Sequence, residues 1–152
     1  NGSIVAASGG QLTFMAPSGN YYLVVRHRNH LGCMTATAMT FSTTSTSVDL
    51  SLTSTATYGT EARRTVGVNS ALWMGNSVLN GMVKYTGTDN DRDVILAAVG
   101  GTVPSNVVSG YFLEDCSMDG LVKYTGSGND RDPILQTIGG SVPTNIRLQQ
   151  IP

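Results

Sequence analysis

From residue 1 to about residue 57, short apolar stretches rich in β-branched side chains alternate with breaks rich in glycine and serine. The pattern predicts strands over Ser3–Ala7, Gln11–Met15, Tyr21–Arg28, Met34–Phe41 and Ser47–Leu52. Turn signals separate them at Gly9-Gly10, Ser18-Gly19-Asn20 and Asn29–Gly32. Within Tyr21–Arg28 one parity carries Tyr21, Leu23, Val25 and His27, and the other Tyr22, Val24, Arg26 and Arg28. Both faces start apolar and charge arrives only at the end, as in a central strand emerging at a polar edge. Val48–Leu52 alternates apolar and polar strictly, which predicts a half-buried strand, although Thr40–Thr57 also suits a low-complexity linker or an O-glycosylated stretch. Five strands at this spacing predict a mainly β fold, with an Ig-like or transthyretin-like sandwich over residues 1–70.

Residues 71–152 carry a tandem duplication. Gly81–Asn106 matches Gly120–Asn145 at a constant offset of 39, without a gap, and 17 of the 26 positions are identical. Val83-Lys84-Tyr85-Thr86-Gly87 recurs as Val122-Lys123-Tyr124-Thr125-Gly126, and Asn90-Asp91-Arg92-Asp93 as Asn129-Asp130-Arg131-Asp132. Each copy (about 76–106 and 115–145) predicts one short helix. Asp132 stands as N-cap, Pro133 as first helical residue, Ile134, Leu135 and Ile138 share a face, and Gly139-Gly140 ends the element. Copy one repeats this with Asp93, Ile95, Leu96, Val99 and Gly100-Gly101.

Directly before the second shared block, Asp115, Ser117 and Asp119 place oxygens at alternate positions ahead of Gly120. That is the opening half of an EF-hand calcium loop, in which the glycine permits the sharp turn and Leu121 donates a backbone carbonyl. Val122 then turns into the core. Calcium takes six to eight hard oxygens, and the closing acid of a standard loop falls on Gly126, which cannot ligate. An expanded loop solves this if Tyr124–Asn129 bulges out and Asp130 or Asp132 completes the shell. The bland alternative makes Asp132 a helix cap and Asp115 and Asp119 turn residues. Copy one offers a weaker site or none, because Asn76, Val78 and Asn80 replace Asp115, Ser117 and Asp119, with Asp89, Asp91 and Asp93 as the acids that could help.

Composition narrows the classes further. The 152 residues are 12% charged, with a formal net charge of −1 and 33 serines plus threonines. Without a basic cluster, neither nucleic-acid nor membrane-surface binding is expected. No apolar run approaches the roughly 20 residues of a membrane span, so no insertion is expected either. The absence of Met or a leader at Asn1 suggests a processed form or a fragment. Seven of the ten acids fall in two clusters, Asp89, Asp91 and Asp93, then Asp115, Asp119, Asp130 and Asp132. His27 and His30 are the only histidines; on a strand they face opposite ways, so only a turn would pair them. No nucleophile elbow, zinc pattern or phosphate loop is present, and the chain reads as no enzyme, with no catalytic residue.

Tyr22–Gly32, Ala71-Leu72-Trp73, the two Lys-Tyr-Thr-Gly…Asn-Asp-Arg-Asp blocks and Ile151-Pro152 together resemble the C-terminal region of large secreted Bacteroidota surface proteins of haemagglutinin- or adhesin-like type. The calcium half is also similar to dockerin modules, although dockerin repeats lack the Tyr-Thr-Gly insertion, so cohesin binding does not carry over. The resemblance implies an extracellular, cell-surface location and a β-sandwich followed by a dockerin-like calcium tail. Cys33 and Cys116 stand where that family usually has no cysteine. Their joint departure suggests a disulfide between the halves, with two separate buried thiols as the alternative. The expected function is a calcium-stabilised structural or adhesion module that self-associates, through strand exchange by Asn1–Ala7, into a fibre or surface assembly. Alternatives are a recognition module for a glycan or protein ligand, and an export or anchoring tail.

Overall fold

The computed structural model describes residues 3–152. In chain order the elements are β1 (Gly19–Tyr21), β2 (Val24–Val25), β3 (Cys33–Met34), β4 (Met39–Phe41), β5 (Arg64–Val66), β6 (Asn69–Ala71), β7 (Met82–Lys84), α1 (Asp91–Ala98), β8 (Val107–Ser109), β9 (Leu121–Lys123), α2 (Arg131–Thr137) and β10 (Ile146–Leu148). The fold is mainly β, built from two-stranded antiparallel ladders: β1–β4, β2–β3, β5–β6, β7–β10 and β8–β9.

The first half departs from the expected sandwich. It holds three small ladders, not two facing multi-stranded sheets. Tyr21–Arg28 breaks into the end of β1 and the short β2, and Met34–Phe41 into β3 and β4. Ser3–Ala7 and Gln11–Met15 join no ladder among the described residues, and Asn1 lies outside them. A turn at Gly9-Gly10 does form, closed by Ala6 N–H on Gly10 O at 2.9 Å. Ser47–Leu52 keeps only a single antiparallel bridge, Leu52 to Asn69, with Ser51 O accepting from Ser70 N at 2.7 Å, and otherwise loses its strand to local side-chain bonds. Asp49 accepts from Ser51 N and Oγ, Thr55 Oγ1 donates to Asp49 O, and the Arg63 guanidinium gathers the carbonyls of Leu50, Leu52 and Thr55. Short polar side chains that bond nearby backbone compete with a ladder in this way.

The second half is interleaved. Each copy runs opening strand, helix, closing strand, and each closing strand pairs with the other copy's opening strand. β10 lies on β7 with Arg147 opposite Val83, and β8 lies on β9 with Val108 opposite Val122. Thr86 Oγ1 donates to Pro143 O at 3.0 Å and Thr125 Oγ1 to Pro104 O at 3.1 Å, so the exchange is reciprocal. One core results: Val83, Val122, Ile95, Ile134, Val99, Ile138 and Cys116, completed by Leu31 from the first half. Neither copy encloses that core alone, which accounts physically for the duplication. Val122 is fully buried, as its place in the loop requires.

Asn29 fastens the two halves. Its Nδ2 donates to Leu113 O at 3.0 Å and Asp115 O at 2.7 Å, and its carbonyl accepts from Gly75 N and Asn76 N. Trp73 bonds Glu61 O through Nε1 and carries the Arg147 guanidinium 3.9 Å above its ring.

Candidate functional site

The duplicated block first explains itself structurally. Asn90 and Asn129 cap the helices: Asn90 Oδ1 accepts from Asp93 N at 3.0 Å, and Asn129 Oδ1 from Arg131 N and Asp132 N at 3.2 Å. Asp93 and Asp132 reply from the first turn, accepting the amide Nδ2 of those asparagines at 2.7 and 3.0 Å. The helices therefore begin before the aspartates expected to cap them. Pro133 sits inside the first turn of α2, where its missing N–H would still have had no intrahelical partner. At the far ends Gly101 and Gly140 adopt positive φ, and Asn106 and Asn145 each donate to a last-turn carbonyl. Arg92 stacks over Tyr85 and Arg131 over Tyr124, which accounts for both recurring pairs.

Asp91 and Asp130 are fully buried and act as loop staples. Asp130 accepts from Ser117 N at 2.9 Å and Lys123 N at 2.8 Å; Asp91 accepts from Val78 N at 3.0 Å and Lys84 N at 2.8 Å. Desolvation pushes Asp91 up to about 6 and also raises Asp130, outweighing the backbone donors that favour the charged forms.

Around the second loop, Asp115 accepts from Asp119 N and Gly120 N at 3.1 Å each, which draws the chain round its carboxylate. Ser117 Oγ lies 3.5 Å from Asp115 Oδ1, and Asp130 closes the loop through Ser117 N. The fold thus gathers Asp115, Ser117, Asp119 and Asp130, with Leu121 following in β9. Asp132 stays with its helix cap. Asp119 turns outward, accepting from Leu121 N and pairing with Lys123 Nζ at 3.1 Å, and these partners lower its pKa, Lys123 most. In copy one the parallel positions are Asn76, Asn80 and Asp91, with Asp93 again on the cap; Asn80 accepts from Met82 N as Asp119 does from Leu121 N. Among the described residues, no three His, Cys, Asp or Glu side chains stand as a metal-holding group. The second loop's hard oxygens have calcium's chemistry, but one cation is already there. Arg28 Nη2 donates to Asp115 Oδ2 at 2.9 Å, with the two side chains 10% and 1% exposed, and the guanidinium lies 4.1 Å above the Tyr111 ring.

The expected Cys33–Cys116 disulfide is absent: both are free, buried thiols. Cys116 lies in the repeat core with its sulfur 3.1 Å from the hydroxyl of Ser77, its own counterpart in copy one, whereas Cys33 sits in β3 opposite Val25, outside that core. Burial raises both thiols, Cys116 to about 12. The histidines also differ from the strand expectation. A turn closed by His30 N–H on His27 O brings their Nδ1 atoms within 3.0 Å.

Comparison with known proteins finds no matching family model, curated protein or solved structure. Sequence reasoning missed Arg28, Asn29 and Arg63. Arg28 and Arg63 were visible as scarce charges in a neutral half, but each finds its partner through the tertiary fold.

Proposed function

We propose that this chain is a non-enzymatic extracellular structural or adhesion module whose duplicated half is stabilised by calcium at the second loop. The observation that carries it is the convergence of Asp130 on the Asp115–Asp119 turn, through its bond to Ser117 N, at the place where the expanded loop needs its closing acid. Asp115, Ser117, Asp119, Asp130 and the Leu121 carbonyl would hold the ion. Calcium takes over from Arg28 the neutralisation of Asp115. Such binding is coupled to folding, because Asp130 meets the Asp115–Asp119 turn only when the loop between them is folded. The dockerin-like pattern of the loop and the likeness to Bacteroidota surface proteins support the surface role.

Self-association through the N-terminal arm belongs to the same proposal. Residues 3–17 enter no ladder, and Ile4, Val5, Leu12, Phe14 and Met15 are exposed on them. The unpaired stretches on either side of the Gly9-Gly10 turn, with outward apolar side chains, suit strand addition to a neighbour. Calorimetric titration tests the calcium site: one ion per chain, with binding abolished in Asp115→Asn, is the expected result. No binding heat and no metal in the purified protein would contradict it. Light scattering that finds only monomer across millimolar calcium would remove the assembly part.

A further inference from the structure

Asn80-Gly81 in copy one and Asp119-Gly120 in copy two are the same turn built twice. Leu79 and Met118 enter it at φ 59° and 62°, and Gly81 and Gly120 leave it at φ 76° and 83°. Asn80 Oδ1 accepts from Met82 N at 3.0 Å, as Asp119 Oδ1 accepts from Leu121 N at 2.9 Å. The glycine nitrogens differ. Gly120 N donates to Asp115 Oδ2 at 3.1 Å. Copy one has Asn76 in the place of Asp115, its Oδ1 bonds nothing, and Gly81 N has no hydrogen-bond partner among the described residues.

Asparagine before glycine is the pairing in which a backbone nitrogen reaches the side-chain amide most easily, because glycine has no Cβ to obstruct the approach. Only Asn1 and Asn80 precede a glycine in this chain. The Asn80 side chain is exposed, and its Nδ2, the leaving group, bonds no described residue. Met82 N–H already sits on Oδ1, where negative charge gathers when the carbonyl carbon is attacked. Gly81, which carries the nucleophile, lines an open cleft that admits water and hydroxide.

The product also has a place prepared. Lys123 Nζ reaches Ser127 O and pairs with Asp119, four residues before it, at 3.1 Å. Lys84 Nζ reaches Thr88 O in the same way, and Asn80 stands four residues before Lys84. An aspartate at position 80 therefore meets a cation held as the partner of Asp119 is.

We propose that Asn80-Gly81 is a covalent self-modification site, at which the folded chain converts Asn80 to aspartate. Gly81 N bonds to Asn80 Cγ and gives up its proton, the Cγ–Nδ2 bond breaks, and ammonia leaves, which closes a cyclic imide. Water, the sole co-reactant, then opens the ring. Addition at Cγ restores the ordinary backbone with an aspartate side chain. Addition at the Asn80 backbone carbonyl carbon routes the chain through the side chain, as isoaspartate. In copy two the equivalent nitrogen is held by Asp115, so Asp119 stays as it is. The modification gives copy one the acid that copy two already carries. It goes beyond the structural role proposed above and does not depend on calcium.

The test incubates the full chain in EDTA, native and unfolded in guanidinium chloride, from neutral to mildly alkaline pH, with peptide mapping by mass spectrometry. Asn80 should convert ahead of every other asparagine from Asn20 onward, at least as fast in the native chain as in the unfolded one, and in proportion to hydroxide. Asp119 should yield isoaspartate only in the unfolded chain, where Asp115 no longer holds Gly120 N. Each conversion adds one negative charge to the formal −1, which isoelectric focusing reads. Asn80→Asp, the finished product, should melt at or above the wild-type temperature. A native rate below the unfolded one overturns the inference, because the fold then protects the turn. Conversion of Asn80 no faster than that of Asn69 overturns it as well. A lowered melting temperature for Asn80→Asp removes the place assigned to the product. Because the incubation runs without calcium, its failure is distinct from failure of the calcium site.

Discussion

Replacing Arg28 with methionine separates the two cations that compete for Asp115. The methionine keeps an unbranched apolar stem against Tyr111 and removes only the charge and its donors. In the metal-free protein Asp115 is then left 1% exposed with no counter-ion. Breaking a buried pair from one side costs about 3–5 kcal/mol. The backbone donors of Asp119 and Gly120 remain, so the lower end, ~3 kcal/mol, applies. For a chain of this size that corresponds to a fall in melting temperature of roughly 6–12 °C. Calcium reverses the order of events, because the ion supplies the missing charge and no longer displaces a guanidinium. The deficit measured by calorimetric melting in EDTA therefore shrinks by more than half in saturating calcium. The calcium Kd of the variant falls about tenfold, equivalent to ~1.4 kcal/mol. An equal deficit in EDTA and calcium, with unchanged affinity, would refute the competition and show that Arg28 and the metal do not meet at Asp115.

Three further outcomes follow from the geometry. Asn90→Ala and Asn129→Ala each remove a helix cap and cost about 1 kcal/mol in chemical denaturation, to a similar degree in both copies; a loss confined to one copy would contradict the reciprocal packing. With both thiols free and buried, a thiol reagent labels neither cysteine in the native chain and both after unfolding, and an unlabelled denatured chain would mean a disulfide. His30 titrates near 4 when folded and near 6.5 when unfolded, so its contribution is intact above pH 6.5 and is lost as the pH falls towards 4. The buried Asp91, with its raised pKa, acts in the opposite sense, so the measurement compares wild type with His30→Gln. Allowing for the partial exposure of the ring, wild type should lose about 1–2 kcal/mol more than the variant between pH 7 and 4.5. Parallel pH profiles would show that His30 is not desolvated as described.

What the amino-acid pattern made legible was mostly local or repetitive. The duplication, the helix in each copy, the glycine exits and the inward Val122 follow from spacing alone. Spacing alone puts the caps slightly late, because both Asp-Arg-Asp aspartates suit a helix start, and only the folded chain shows the preceding asparagine taking the cap. The sandwich was not recoverable in the same way. Alternation in Ser47–Leu52 signals a strand, but Asp49, Thr55 and Arg63 consume the backbone groups that a ladder would need. The histidine turn hides inside an apparently continuous strand for a related reason, since Asn29 is committed to Leu113 and Asp115, more than 80 positions away. Of the candidate ligands, the fold separates Asp130 from Asp132, two residues that spacing left equivalent. The exchange of closing strands between copies is likewise beyond pattern, because either pairing buries the same valines.

Thermal unfolding of the intact chain in EDTA and in millimolar calcium, with bound metal measured on the same samples, tests the central claim most directly. A ligand held only by the folded state at 100 times its Kd stabilises by about 2.7 kcal/mol, and this should raise the melting temperature by roughly 5–11 °C. The Asp115→Asn chain should show no such rise. A melting temperature indifferent to chelation, with no calcium recovered, would contradict the account.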